Sequence, residues 1–173
     1  MIGSVFREMT GADLEMVRNW RNEENVRKFM YTQHEISIEE HQNWWNNISK
    51  NPSNIQLIFE YKGIASAVVS FTKVNRKNKS ATWAFYLSKD AKKGIGSLVE
   101  FEALEYVFNY LGLYKLKCEV LGINKAVIKM HKKYGFKEEG LFINEYFNGS
   151  NFISIYRLAI FNTEWQEVKK IMS

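Results

Sequence analysis

The segment Asp90-Ala91-Lys92-Lys93-Gly94-Ile95-Gly96-Ser97 carries the clearest chemical signature of this 173-residue chain. A strand-like apolar run over residues 82–87 leads into it, and a periodic helix leads out of it. Glycines at a strand-to-helix turn let a phosphate approach the backbone, where the first free N–H groups of the helix bind it. Two lysines beside those groups add positive charge. Lys92, Lys93, Gly94, Ile95, Gly96 and Ser97 therefore read as a pyrophosphate cradle, a site for a nucleotide-type cofactor.

Other residues offer proton chemistry. Glu119 is the lone carboxylate in a strand otherwise marked by Leu116, Cys118 and Val120, and alternation sets it on the face opposite Cys118. It is the candidate general base, with Glu60 offering the same chemistry on a less telling strand. Cys118 reads as a buried core residue rather than a nucleophile. His34 and His41 lack a Cys or carboxylate cluster at ligand spacing, so no metal is expected.

These residues need elements to hold them. Residues 5–9 predict a short first strand, and 13–30 two short helices joined near Asn22. Ser37-Ile38-Glu39-Glu40 has the form of a capping box and predicts a helix to about Ile48. Residues 55–61 turn at Lys62-Gly63 into a strand over 64–74, followed by another over 80–87. From Ser97 the apolar positions Leu98, Phe101, Leu104, Phe108 and Leu111 predict an amphipathic helix that Gly112 ends. A strand over 116–121, a short helix over 124–134 and two strands over 136–147 and 152–161 follow. Asn148-Gly149 predicts a tight hairpin turn between the last two, and Thr163-Glu164-Trp165-Gln166 can cap a terminal helix. The pattern is that of a mixed α/β chain forming a single domain over residues 1–173.

Composition narrows the partners. Basic residues number 24 against 19 acidic ones, a formal charge of +5, with the lysines dispersed. Zinc-finger, basic-heptad and RNP-type patterns are missing, which argues against a nucleic-acid partner. An acidic small molecule suits this charge and a polyamine does not, since like charges repel. The single cysteine allows no intrachain disulfide. Signal-peptide and membrane-span patterns are not seen, so a cytoplasmic protein with no membrane partner is expected. The high aromatic content leaves room for a homodimer.

Lys92-Lys93-Gly94-Ile95-Gly96-Ser97 before a long helix resembles the acyl-CoA pyrophosphate loop of the GNAT acetyltransferases. Asn124-Lys125-Ala126-Val127, then His131-Lys132-Lys133-Tyr134-Gly135-Phe136-Lys137-Glu138-Glu139-Gly140, is similar to the second signature of that superfamily. Trp20-Arg21-Asn22, Val26-Arg27-Lys28-Phe29-Met30-Tyr31 and Ile36-Ser37-Ile38-Glu39-Glu40-His41 look like one subgroup. Its members N-acetylate UDP-4-amino-4,6-dideoxy-N-acetyl-β-L-altrosamine in pseudaminic acid biosynthesis. Phe71-Thr72, Arg76 to Ser80 with Trp83, and Cys118 to Leu121 extend that likeness. Ribosomal-protein N-terminal acetyltransferases and spermidine acetyltransferases share the C-terminal signature and are the competing readings, and a non-catalytic acyl-CoA-binding module is the reading from another class. Two departures stand out: Ala91 replaces a common Gln or Arg, and His131 stands where the superfamily often has the Tyr that protonates the departing thiolate.

The resemblance implies a central, mostly antiparallel mixed sheet flanked by helices, with acyl-CoA at a splay between central strands. It implies acetyl-CoA as the donor, Asn124 as a cofactor contact, and a backbone N–H of Tyr86 or Leu87 on the thioester carbonyl. His131 becomes the first choice for general acid, with Tyr134 nearby. A free imidazole of pKa about 6.5 gives its proton downhill to a thiolate of pKa about 8.5. For the UDP-amino-sugar, Met30, Tyr31 and Trp44 (or Trp45) are the candidate pocket residues. The pair Trp44-Trp45 cannot both face inward. Arg21, Arg27 and Arg76 are possible diphosphate partners.

Overall fold

The computed structural model describes residues 3–172. Its sheet has seven strands in the order β1-β2-β3-β4-β5-β7-β6: β1 (Ser4–Glu8), β2 (Ile55–Tyr61), β3 (Ile64–Asn75), β4 (Ser80–Leu87), β5 (Lys115–Leu121), β6 (Lys137–Phe147) and β7 (Phe152–Phe161). Every neighbouring pair is antiparallel except β4 and β5. A parallel pair needs a crossover, and helix α4 (Ile95–Glu105) makes it.

Alternation along the strands divides the core into two layers. On one face Leu57, Phe59, Val69, Phe71, Trp83, Leu116, Leu158 and Ile160 pack against α4 and against Trp165 of α6 (Asn162–Met172). Ile128 of α5 (Lys125–Lys133) joins that layer. On the other face Ile58 and Val68 meet Met9 together with Val17 and Trp20 of α1 (Leu14–Asn22). A short α2 (Glu24–Arg27) follows α1, and α3 (Ile38–Ile48) lies beside α1. Ser37 caps α3 by accepting from the Glu40 N–H at 3.1 Å. None of the described helices is long and apolar enough to cross a membrane.

Two expectations change. The helix predicted from Ser97 to Leu111 stops being α-helical at Glu105 and continues as a π turn over Tyr106–Tyr110, with the Leu111 N–H donating to the Tyr106 carbonyl at 2.9 Å. Its apolar face is wide: Val99, Ala103, Leu104, Val107 and Phe108 are buried, Leu98, Phe101 and Leu111 also pack on the core, and Glu102, Glu105 and Asn109 keep the remaining side polar. The second concerns how the last hairpin closes: the connection spans 148–151, as the predicted strand bounds left it, and is not a two-residue turn at Asn148-Gly149. The Asn148 side chain accepts from the Ser150 and Asn151 N–H groups at 3.0 and 2.8 Å, and Gly149 takes φ +93°.

The N-terminal helices are tied to the sheet by Arg7 and Asp13. The Arg7 guanidinium donates two hydrogen bonds to the buried Asp13 carboxylate, at 2.7 and 2.9 Å, and Asp13 also accepts from the Thr10 N–H at 2.8 Å. The third Arg7 contact is Glu60, 2.6 Å away, which commits that carboxylate to a structural pair. We expect Asp13→Asn to cost about 1–2 kcal/mol at neutral pH, the partly solvated Arg7 limiting the loss. Arg7 holds the Asp13 carboxyl below its ordinary range, by hydrogen bonding first. Its contribution is complete above the unfolded value of about 4 and disappears as pH falls through the lowered native value. Urea titrations across this range check it: the gap between wild type and variant should close on acidification, and a constant gap would contradict the assignment.

Candidate active site

Only Ser80, Ala81 and Thr82 of β4 pair with β5, opposite Lys115, Leu116 and Lys117. Both strands continue, to Leu87 and Leu121, so they diverge and leave a gap in the middle of the sheet. A cavity of about 360 Å³ occupies it, lined by the ends of both strands and by residues of α2 and α5. On the far side of β4 the Ser88 N–H donates to the Ser66 carbonyl at 2.9 Å. Antiparallel alternation through the regular β3–β4 register then turns the backbone groups of Tyr86 toward β3, and those of Phe85 and Leu87 toward the gap. Of the two N–H groups expected to face a ligand, the one from Leu87 does and the one from Tyr86 does not. Phe85 supplies a second. The Tyr86 side chain packs instead in the α1 layer.

The glycine loop lies at the edge of this gap. Gly94 takes φ +95° in front of α4, a conformation that favours glycine. The Ile95 N–H is used by the Lys92 carbonyl at 3.1 Å, and the Ile95 side chain is buried in the core. The N–H groups of Gly94 and Gly96 take no backbone partner among the described residues. Gly96 itself lines the cavity, where an added Cβ would stand 3.7 Å from Leu87 Cδ1 and Met130 Sδ. Lys92 and Lys93 are exposed beside the loop. Together these groups can hold an anion at the mouth of the gap.

Helix α5 presents Asn124, Val127, Met130 and His131 to the same cavity. The Asn124 carbonyl oxygen caps the helix by accepting from the Val127 N–H at 3.4 Å, which leaves its side-chain NH₂ for a ligand. His131 is 3% exposed, not a surface residue. Its Nδ1 lies 2.7 and 2.9 Å from the two carboxylate oxygens of Glu100, a residue of α4 with no exposure. The rings of Trp83 and Phe136 pack 5.4 and 5.0 Å from the imidazole. Burial pushes the Glu100 carboxyl up, and the imidazole hydrogen bond opposes that shift.

Glu100 escaped the sequence reading. The available signal was its place one turn before Leu104 and next to Val99, on the apolar side of a helix whose other glutamates, Glu102 and Glu105, lie on the opposite side, a position that calls for a buried partner. Tyr134, the alternative to His131, is buried outside the cavity lining, and its hydroxyl donates to the Ser97 carbonyl at 2.8 Å.

Across the sheet the lining changes character. Glu119 points to the face opposite Cys118, accepts from the Tyr31 hydroxyl at 3.1 Å and lies 3.9 Å from Arg157. Burial first, and then Glu119, pushes the Tyr31 phenol well above its ordinary value. Tyr146 packs its ring on Tyr31 at 5.6 Å and donates to the Tyr31 carbonyl at 2.8 Å, holding that segment against β6. Met30 lines the cavity with Asn25, Val26 and Phe29. Arg21 donates to the Thr32 carbonyl at 2.8 Å, yet its Nη1 and the Nε of Arg27 are buried without a protein acceptor. Burial, and to a smaller extent the neighbouring charge of Arg27, pushes the Arg21 guanidinium down.

Trp44 does not belong to the cavity. It stacks on His41 at 4.9 Å, and both Trp44 and Trp45 pack half-buried on the α1 layer, so neither is the exposed ring expected of the pair. Arg76 is also distant, donating to the Leu111 carbonyl at 3.4 Å. His34 is exposed and bonded to Glu40.

The chain matches the acetyltransferase (GNAT) domain family over residues 5–137. It is 29% identical to acetyltransferase PseH of Campylobacter jejuni over 132 residues, 76% of this chain and 81% of that protein. It is 23% identical to spermidine N(1)-acetyltransferase of Escherichia coli over 160 residues, 92% of this chain and 86% of the other. In fold it is similar to spermidine N-acetyltransferase from Vibrio cholerae in complex with CoA and spermine, with a TM-score of 0.86 at 20% identity, covering 95% of this chain and 98% of that one.

The two loop glycines separate strain from contact. Gly94→Ala places a Cβ in open space but at positive φ, and should cost about 1 kcal/mol or more, a fall in Tm of at least roughly 2 °C. Gly96→Ala meets only ordinary contacts in a helical turn and should leave Tm unchanged or raised. Thermal melts of both variants check this, and the opposite order would contradict the assigned geometry.

Proposed function

The chain belongs to the GNAT acetyltransferase family, and on that premise we propose that it acetylates the 4-amino group of a UDP-4-amino-4,6-dideoxy sugar. This is the acceptor chemistry of pseudaminic acid-type nucleotide-sugar biosynthesis. One observation carries the reading: the cavity is lined from both faces of the sheet, by His131 on one side, backed by Glu100, and by Glu119 on the other, backed by the Tyr31 hydroxyl. The under-bonded Arg21 and Arg27 belong to the adjoining helices α1 and α2.

Acetyl-CoA is the donor substrate. The free N–H groups of Gly94 and Gly96, with Lys92 and Lys93, suit its pyrophosphate, and the Asn124 amide offers a further donor. The Phe85 and Leu87 N–H groups face the gap, where they can polarise the thioester carbonyl and hold the oxyanion that follows; one such donor is worth about 10²–10³ in rate. The amine nitrogen forms the new bond to the carbonyl carbon, and the C–S bond breaks with its electron pair leaving on sulfur. Glu119, directly or through a water, takes the proton that the attacking amine must lose. His131 gives the sulfur a proton.

Charge supports a nucleotide sugar over a polyamine. Glu119 is the one carboxylate among the residues lining the cavity, and several ammonium groups on one substrate call for several anions. Arg21 and Arg27 repel cations, and one guanidinium nitrogen of each, Nη1 and Nε respectively, is buried without an acceptor. A buried donor left unpaired costs about 1–3 kcal/mol, which a diphosphate oxygen would recover. Met30 and Tyr31 offer apolar cover for a deoxysugar. Nucleotide sugars and acetyl-CoA imply a cytoplasmic setting. Spermidine remains the second reading, because of the 23% identity to spermidine N(1)-acetyltransferase over 92% of this chain.

Mass spectrometry decides between them. With acetyl-CoA and a UDP-4-amino-4,6-dideoxy sugar, we expect a product heavier by one acetyl group, and no such product from spermidine. His131→Phe should keep acetyl-CoA affinity and lower kcat about 10²-fold or more. Acetylspermidine as the sole product would overturn the acceptor assignment, and full turnover by His131→Phe would overturn the acid.

A further inference from the structure

The fold gains little from an ionisable pair at the depth of Glu100 and His131. Both side chains are essentially inaccessible, and both carboxylate oxygens of Glu100 face a single donor, Nδ1. A carboxylate has about four lone-pair sites, and replacing a buried ion pair by apolar side chains is often neutral or stabilising. The position of the pair explains its presence better than its energy does. One end is sealed in the α4 layer; the other end, the imidazole edge, reaches the cavity in the splay.

We propose that Glu100 is the positioning residue of the transferase reaction, holding His131 in its Nδ1–H form so that the proton it delivers always leaves from Nε2. The inference rests on the reading of His131 as the general acid. With Nδ1–H bonded to Glu100, a second proton on the ring can sit only on Nε2, the nitrogen without a protein partner. When the C–S bond breaks, that proton forms the S–H bond of the thiol. The imidazolium becomes a neutral imidazole, Nδ1–H stays on Glu100, and solvent entering through the cavity restores the Nε2 proton. Glu100 exchanges no atom with substrate. It sets which nitrogen acts and stabilises the cationic ring before the transfer.

The surroundings leave this pair alone with the task. Trp83 and Phe85 from β4 and Phe136 beyond α5 contribute rings without charge. Cys118 from β5 is a buried thiol that burial pushes up, far from ionising. Tyr134 from α5 is likewise pushed up by burial. Glu119 stands on the other face of β5. No further charged group faces the ring among the described residues.

Two measurements test the proposal, one of which needs no variant. Imidazole ¹⁵N NMR of the wild-type protein should find neutral His131 as the Nδ1–H tautomer, and Glu100→Gln should admit the Nε2–H form. For acetyl transfer, Glu100→Gln should lower kcat about 10- to 100-fold, keep both KM values within about twofold, and move the alkaline fall of the kcat–pH profile to lower pH. A wild-type Nε2–H tautomer, or an unchanged pH profile in Glu100→Gln, overturns the proposal. Failure of the underlying acid assignment looks different: His131→Phe then turns over normally, while the wild-type tautomer still decides whether Glu100 sets the ring.

Discussion

Three residue pairs hold β4 to β5, and beyond Thr82 and Lys117 the two strands part although each continues for several residues. Backbone donors and acceptors inside a sheet ordinarily find partners, because burying them unpaired is costly. A parted pair in the centre of a seven-stranded sheet therefore needs something to fill it, and a chain of amide groups is well suited to do so. The placement of every functional group follows from that divergence. It exposes the Phe85 and Leu87 N–H groups, opens the cavity through the sheet, and brings the start of α4 and one face of α5 to the same opening.

The gap also separates charges. The sheet stands between the buried Glu100–His131 pair and the accessible Glu119 carboxylate; in the proposed reaction this puts the two proton transfers on opposite faces. The helix layers sustain this division differently. On the α4 side the packing is tight and apolar, which makes the Glu100–His131 pair electrostatically strong. On the α1–α2 side, Tyr31, Tyr146, Arg157 and Arg21 build a polar wall that is half solvated. Asp13 and Arg7 matter to function only at a distance, by fixing α1, and through it α2, against β1 and β2.

Most elements were legible in the sequence because each carried its own local signal: Ser37 before Glu40, Lys62-Gly63 between apolar runs, Gly94 and Gly135 at helix ends. The side-chain calculus of the site was less legible. His131 could be singled out only through likeness to a family, since a histidine followed by two lysines looks solvent-facing; its burial depends on α4 crossing above it. Glu100 is the converse: it lies on the buried face of a helix whose other glutamates, Glu102 and Glu105, are partly exposed, and nothing local marks the one that is sealed. Trp44 was misplaced because aromatic type suggests a pocket, whereas the packing of α3 decides which face its ring occupies. The choice between the Tyr86 and Leu87 N–H groups needed the β3–β4 register, which alternation alone does not supply. The Asn148 loop was legible in its bounds but not in its closure, where the side-chain carbonyl collects the Ser150 and Asn151 N–H groups.

The central claim is that the splay seats the donor so that its sulfur comes to His131. A structure of the protein with CoA bound tests this most directly. The account requires the sulfur within about 3.5–4 Å of His131 Nε2, with the Phe85 or Leu87 N–H bonded within the gap and Glu100 still on Nδ1. CoA seated elsewhere, or a sulfur beyond the reach of His131, would contradict it.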